Sequence, residues 1–239
     1  MRNLMTGTVA LVVLCITGCS PQTKEPSITT TSEGQKSKGS AGTAAARADT
    51  SLVRFINADS DMNNMDLWSE GVRVFSNVAY RTTTPYMELQ ARDGEFALRK
   101  TGEAQDVAAA HRETFPGRHY TLVGLPEGYR SSRLAVLSDK MGELEPGQAR
   151  VRLINATTGV ADLDLYLAGT NTRIGHGVDP GSANSFTDVK PGMLDIRQAG
   201  QPAYQRLSKL KLDADRLYTF VVTGAATAPE LLQIVDRID

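Results

Sequence analysis

The segment Asp59-Ser60-Asp61-Met62-Asn63-Asn64-Met65-Asp66-Leu67-Trp68-Ser69-Glu70 packs hard oxygen ligands into a short stretch. Counted from Asp59, side-chain oxygens fall at positions 1, 3, 5 and 12 (Asp59, Asp61, Asn63, Glu70), the spacing with which an EF-hand loop wraps calcium. Position 6 is Asn64 rather than Gly, although Asn tolerates the left-handed turn required there. Two features point away from a metal. The flanking residues alternate like strands instead of forming helices. A second copy of the segment, described below, carries Thr157, Gly159, Ala161 and Ala168 at the ligand positions. The expectation is a solvated, Asp/Asn-rich turn with no metal and no cofactor. The histidines are His111, His119 and His176, and neither His-Glu-x-x-His nor Gly-x-Ser-x-Gly occurs. Metalloprotease and serine-hydrolase templates are therefore unmet, and the chain is expected not to be an enzyme.

Cysteine chemistry is confined to the beginning. Arg2 is followed by the apolar run Val9-Ala10-Leu11-Val12-Val13-Leu14-Cys15-Ile16, then Thr17-Gly18-Cys19. The run is too short to span a bilayer, which takes roughly 20 residues, and suits a secretory leader. Ile16-Thr17-Gly18-Cys19 resembles the lipobox of bacterial lipoprotein signal peptides. That resemblance implies that residues 1–18 are removed and that Cys19 is lipidated. Two or more acyl chains anchor a protein stably, so the first expected partner is the membrane itself. With Cys15 removed and Cys19 acylated, no thiol is left for catalysis, a disulfide or a zinc site.

Behind the cysteine, residues 20–50 are rich in Ser, Thr, Gly, Lys and Ala, with almost no large apolar side chain. Such a segment buries too little surface to offset its ordering entropy. Residues 19–50 are thus expected to form a lipidated, disordered tether, with an r.m.s. reach of about 30 Å for a flexible coil of about 30 residues. Without the leader the chain holds 25 basic and 27 acidic residues, once Arg2 is taken from the total. That balance gives no basic excess and excludes the usual nucleic-acid binder.

The remainder is an internal duplication. Val53-Arg54-Phe55-Ile56-Asn57-Ala58 returns as Val151-Arg152-Leu153-Ile154-Asn155-Ala156, an offset of 98 residues. The same offset carries Asp66-Leu67 onto Asp164-Leu165, Gly94 onto Gly192, Tyr120-Thr121 onto Tyr218-Thr219 and Leu134 onto Leu232, with no insertion needed. Apolar residues alternate with a period of two, as in Phe96 and Leu98 or Leu194 and Ile196, and turn dipeptides such as Asp93-Gly94 and Pro191-Gly192 separate the runs. That pattern predicts an all-β fold: two tandem immunoglobulin-like β-sandwich domains, at 51–139 and 149–239. Glu103–Arg112 is Ala-rich and open to either helix or strand. Tyr120 and Tyr218 stand near the place of a tyrosine corner. Arg54 with Asp66, and Arg152 with Asp164, are expected to form cross-strand ion pairs of small energetic weight.

The string VRFINADSDMNNMDLWSEG resembles the opening motif of the Domain of Unknown Function 4397 family, in which an apolar strand runs into His-Ala-Ser-Pro-Asp, Val-Asp-Val-Tyr and Asp-Gly. Asp61, Asp66 and Gly71 match, and Trp68 takes the Tyr place, as Tyr166 does in the second copy. Asn57 and Asn155 stand where the family often has His. The resemblance implies tandem sandwiches on secreted or surface proteins and carries no activity. Trp68, the sole tryptophan, shares the outward phase of Asp66 and is the candidate contact residue, with packing against the adjoining domain or a loop as the competing reading. The expected role is a non-catalytic lipoprotein of the cell envelope, binding, adhering or scaffolding through an envelope protein or glycan. Ser20 in place of Asp after the cysteine points to the outer membrane in a Gram-negative cell. The rival reading is a small envelope enzyme, or an accessory subunit for surface polysaccharide modification. A concave polar site would favour the rival, and a flat face around Trp68 would favour binding.

Overall fold

The computed structural model describes residues 49–127, 133–139, 141–159, 162–198, 200–202, 207–225 and 227–237. The leader, Cys19 and the tether up to residue 48 lie outside them. The first repeat supplies β1 (Thr50–Asn57), β2 (Asn64–Ser69), β3 (Val72–Ala79), β4 (Thr82–Thr83), β5 (Met87–Gln90), β6 (Asp93–Lys100), β7 (Asp106–Glu113), β8 (His119–Gly124) and β9 (Leu134–Asp139). The second supplies β10 (Ala149–Thr158), β11 (Leu163–Leu167), β12 (Arg173–Val178), β13 (Ser182–Ala183), β14 (Thr187–Val189), β15 (Gly192–Gln198), β16 (Leu210–Leu212), β17 (Arg216–Ala225) and β18 (Glu230–Arg237). The Ala-rich segment is strand β7, with Ala110 and Ala108 facing the core opposite Phe96 and Leu98 of β6.

Each repeat is a sandwich of two sheets. In the first, β4-β1-β8-β9, with β5 also on β1, packs on β3-β2-β6-β7; in the second, β13-β10-β17-β18, with β14 also on β10, packs on β12-β11-β15-β16. Val53, Phe55, Tyr120 and Leu122 from one sheet meet Met65, Leu67, Phe96 and Leu98 from the other. Val151, Leu153, Tyr218 and Phe220 meet Leu163, Leu165, Leu194 and Ile196 in the same way. The tyrosine corner is present in both copies. Tyr120 accepts the amide of Phe115 at 3.0 Å, and Tyr218 that of Asp213 at 2.8 Å.

A third core joins the two repeats. Ile56, Ala58, Val123 and Leu125 of the first pack on Ile154, Ala156, Val221 and Ile234 of the second. These residues alternate with those of the sandwich cores along β1, β8, β10 and β17, so both faces of each central sheet are covered. The near-continuous apolar reading of VRFINA and VRLINA has this cause. The body is a stack of four sheets.

The arginines in those motifs meet at the inter-repeat seam, which corrects the expectation that each pairs with an aspartate of its own copy. Arg54 Nη1 donates to Asp236 at 2.8 Å, and Arg152 Nη1 donates to Asp139 at 2.6 Å. Asp66 and Asp164 lie on the outer sheets, with an entire sandwich core between them and these arginines. Each repeat's arginine is therefore neutralised by the other repeat's aspartate, the arrangement of an isologous dimer within one chain. Around them Thr121 Oγ accepts from Arg54 Nε at 2.9 Å and donates to Asp139 at 2.6 Å, and the Tyr86 hydroxyl donates to Asp139 at 2.8 Å. Burial, then the Asp139 carboxylate, pushes the Tyr86 pKa well up, which keeps it a donor. The guanidinium of Arg54 lies 4.6 Å from the Tyr86 ring centre, and that of Arg152 lies 4.3 Å from Phe186.

Strand pairing also corrects the uninterrupted 98-residue offset. Asp139 stands opposite His119, and Asp236 opposite Leu217, so the last strands correspond with an offset of 97 and Leu134 matches Leu231, not Leu232. Between β2 and β3 the turn is the two residues Glu70-Gly71, both at positive φ as a two-residue hairpin requires. The second copy has two more residues there, since Trp68 pairs with Arg73 but Tyr166 with Arg173. The turn before β15 is shorter by two, which restores the offset.

Candidate binding surface

Trp68 lies on the outward face of the outer sheet of the first repeat, half-buried by arginines rather than by the adjoining repeat. The Arg99 guanidinium stacks 4.1 Å from the indole centre, and that of Arg73 lies 5.9 Å away. Arg99 is held by Asp106 and Arg73 by Asp66. The second repeat builds the same motif with Tyr166 under Arg197 at 4.4 Å, and Arg173 on Asp164 at 3.3 Å. Stacking on an aromatic face is favourable for guanidinium, so each ring is held by its arginine. The arrangement sets an aromatic ring and guanidinium groups side by side on the outward face of each outer sheet. Arg73 and Arg99 went unmarked in the sequence, because only the pairing of β2 with β3 and β6 brings them to Trp68.

Asp66 itself is structural. Its Oδ1 accepts the Asn77 amide at 2.8 Å and the Thr101 hydroxyl at 2.7 Å. Asn77 sits at positive φ in a register shift of β3, so the carboxylate caps a β-bulge. Asp164 accepts the amide of Gly177, also at positive φ, at 2.8 Å. Burial pushes the Asp66 pKa up, but the Asn77 amide, Thr101 and Arg73 together outweigh it and hold the carboxyl below its ordinary value. Asn57 and Asn155 are also internal. Asn57 Nδ2 donates to the Val78 carbonyl at 3.0 Å, and Asn155 Nδ2 donates to that of Val178 at 2.8 Å, stitching one sheet to the other.

The oxygen-rich segment does not converge. Asp59 and Glu70 sit beyond opposite ends of β2, a six-residue strand whose length is about 20 Å. Asp59 is buried, not solvated as expected. It accepts Arg133 Nη2 at 2.6 Å and the Asp61 amide at 2.9 Å. Burial nevertheless raises its pKa. Asp61, Asn63 and Glu70 are exposed, and Glu70 bonds the backbone of Glu95. His119 packs edge-on against Tyr86 at 5.1 Å, His111 faces Asp93, and His176 is exposed on β12. The three histidines are not brought together.

The fold and this surface define a tandem β-sandwich protein with fused repeats. The family model described as "Domain of unknown function (DUF4397)" matches residues 51–166, all of the first repeat and the second as far as β11. No protein in the curated set matches the chain. Among solved structures, the C-terminal domain of AlgF from P. aeruginosa is similar at 21% identity, covering 38% of this chain and 99% of that one with a TM-score of 0.31. The tip fimbrial protein Mfa3 from Porphyromonas gingivalis is similar at 9% identity, covering 79% of this chain and 99% of that one with a TM-score of 0.26.

Proposed function

We propose that this chain is a lipid-anchored protein of the bacterial cell envelope whose fused sandwiches form a non-catalytic body that binds an envelope protein or glycan. The observation that carries the reading is the outer-sheet face centred on Trp68, with Arg99 stacked on the indole and Arg73 beside it. Aromatic and arginine side chains are those enriched in binding hot spots, and here they stand together on one face. The leader, Cys19 and the tether supply the anchoring part of the proposal, with acyl chains in the outer membrane where the cell has one.

The test is a photo-crosslinking amino acid in place of Arg73 in intact cells, with adducts identified by mass spectrometry. A discrete adduct, lost on Trp68→Ala while the melting temperature is unchanged, is the expected result. An adduct pattern indifferent to Trp68, or none at all, would remove the Trp68 face from the reading.

A further inference from the structure

The chain enters the folded body at a place with its own chemistry. Gly117 donates its amide to the Thr50 carbonyl at 2.8 Å, and Leu52 donates to the Arg118 carbonyl at 2.8 Å. Because β1 runs parallel to β8, the root of the tether lies beside the loop that precedes β8. At this open end of the first sandwich, Arg112, Phe115, Pro116, Arg118, Tyr120 and Ser138 line a depression of about 490 Å³. Phe115 is 50% exposed, unusual for a phenylalanine in a body with three buried apolar cores. Arg92 is tied to the same loop through reciprocal bonds with Thr114.

Arg92, Arg112 and Arg118 are exposed and have no ion-pair partner among the described residues, in contrast to Arg54, Arg73, Arg99, Arg150 and Arg152. Asp49 lies at the tether root, its carbonyl accepting the Ala91 amide, while Asp93 and Glu113 on the adjoining strands are paired opposite each other. By strand alternation they face the other side of the sheet from Arg112. The second repeat keeps the backbone but not the patch. Its joint enters at the matching place, with Asp215 donating its amide to the Gln148 carbonyl, yet Leu212 takes the position of Arg112 and Asp213 that of Phe115. A need of the fold would have appeared in both copies.

We infer that this end of the first repeat is a foot that rests on the bilayer to which the chain is tethered, with Arg92, Arg112 and Arg118 on phosphate-bearing lipid headgroups and Phe115 in the interface. The inference rests on the anchoring part of the proposed function. Three arguments select a membrane as the occupant. The tether ends here and, at a reach of about 30 Å, holds this patch close to the surface, so even a weak contact is populated at the resulting effective concentration. The tether from Ser20 to its root at Asp49 adds Lys24, Lys36, Lys38 and Arg47 against Glu25, Glu33 and Asp49, a small basic excess on the anchor side of a chain that is acidic elsewhere. Unpaired arginines beside an exposed aromatic ring are the pairing by which peripheral proteins meet anionic interfaces.

The test is vesicle sedimentation with the unlipidated chain 20–239, which contains the whole compact unit Ser40–Asp239. Because no acyl chain is present, the outcome is independent of whether Cys19 is lipidated. The expected result is binding to phosphatidylglycerol-containing vesicles, weakened by salt, and none to phosphatidylcholine vesicles. Each arginine near an anionic surface is worth about 1 kcal/mol, roughly fivefold in affinity. The triple variant R92E/R112E/R118E should therefore lose binding by about a hundredfold. Phe115→Ala should weaken it severalfold, and Lys190→Glu, at an exposed position of the second repeat, should leave it unchanged. Equal binding to both vesicle types, no binding to either, or an unchanged triple variant that melts like the parent would overturn the inference. So would retention on an immobilised polyuronate without vesicle binding, which would make the patch a glycan site.

Discussion

Removing Asp139 is the sharpest perturbation the structure offers. Its carboxylate is fully buried and accepts Arg152 Nη1 at 2.6 Å, Thr121 Oγ at 2.6 Å and Tyr86 Oη at 2.8 Å. After Asp139→Ala, the Arg152 guanidinium, itself 2% exposed, keeps threonine hydroxyls at 3.4 and 3.5 Å and the Phe186 ring but no anion, and faces the cation of Arg54. Breaking a buried pair by deleting one partner costs about 3–5 kcal/mol. For a folded unit of this size each kcal/mol is worth roughly 2–4 °C, so the melting temperature should fall by about 6–20 °C. Asp236→Ala should cost less, under about 2 kcal/mol, because that carboxylate is 19% exposed and water can take its place beside Arg54. The double variant D139L/R152M, which removes both charges, should recover most of the loss. Calorimetry on the unlipidated chain checks the order. A D139A variant within about 0.5 kcal/mol of the parent, in the range of an ordinary surface substitution, or one costing less than D236A, would refute the account of the seam.

Cells fed a labelled fatty acid should label the parent and not Cys19→Ser; equal labelling would end the anchor hypothesis. Millimolar calcium should leave the melting temperature unchanged, because Asp59 and Glu70 lie at opposite ends of β2; an upward shift abolished by Asp61→Ala would make the first repeat a calcium module. The Asp66 carboxyl is held below its ordinary value of 3.8, by bonds that outweigh its burial. The unfolded chain therefore protonates first as pH falls, and the stability this residue contributes is complete above the ordinary value and drains away as pH drops through the folded one. Asp195 behaves likewise, held low against its burial by the Lys209 amide and Arg197. Melting curves of Asp66→Asn against the parent should show a gap that narrows from neutral to strongly acidic pH; a constant gap would show that the charge plays no part.

The fold class was legible in the sequence because period-two alternation and turn dipeptides are local signals, and because each was written twice. The pairing of the seam charges was not. Asp139 and Asp236 correspond only with an offset of 97, so an ungapped comparison set Asp139 beside Arg237 and Asp236 beside Ser138, and the matched acids disappeared from view. The compensating changes in the two hairpins were hidden for the same reason: a gain of two residues before β12 and a loss of two before β15 leave the flanking matches intact. Phase alone puts Arg54 with Asp66. Phase fixes which side of a strand a residue faces, but not which sheet the strand joins, and β1 and β2 lie in different sheets.

Comparing the copies separates the residues that build the fold from those free to do something else. Asn57 and Asn155, Asp66 and Asp164, Tyr120 and Tyr218 make the same bond to the same backbone group in both sandwiches. Their recurrence needs no ligand. The seam takes the outward faces of both central sheets, which leaves the two outer sheets and the sandwich ends for any partner. On the outer sheets the aromatic ring recurs with its arginine but changes from Trp68 to Tyr166, so the scaffold of the contact is kept while its size differs. At the chain-entry ends nothing chemical is kept: Arg112 and Phe115 face Leu212 and Asp213 across the duplication. Two identical sandwiches could not both sit at the tether root, and the copy that does is the one that carries the unpaired arginines.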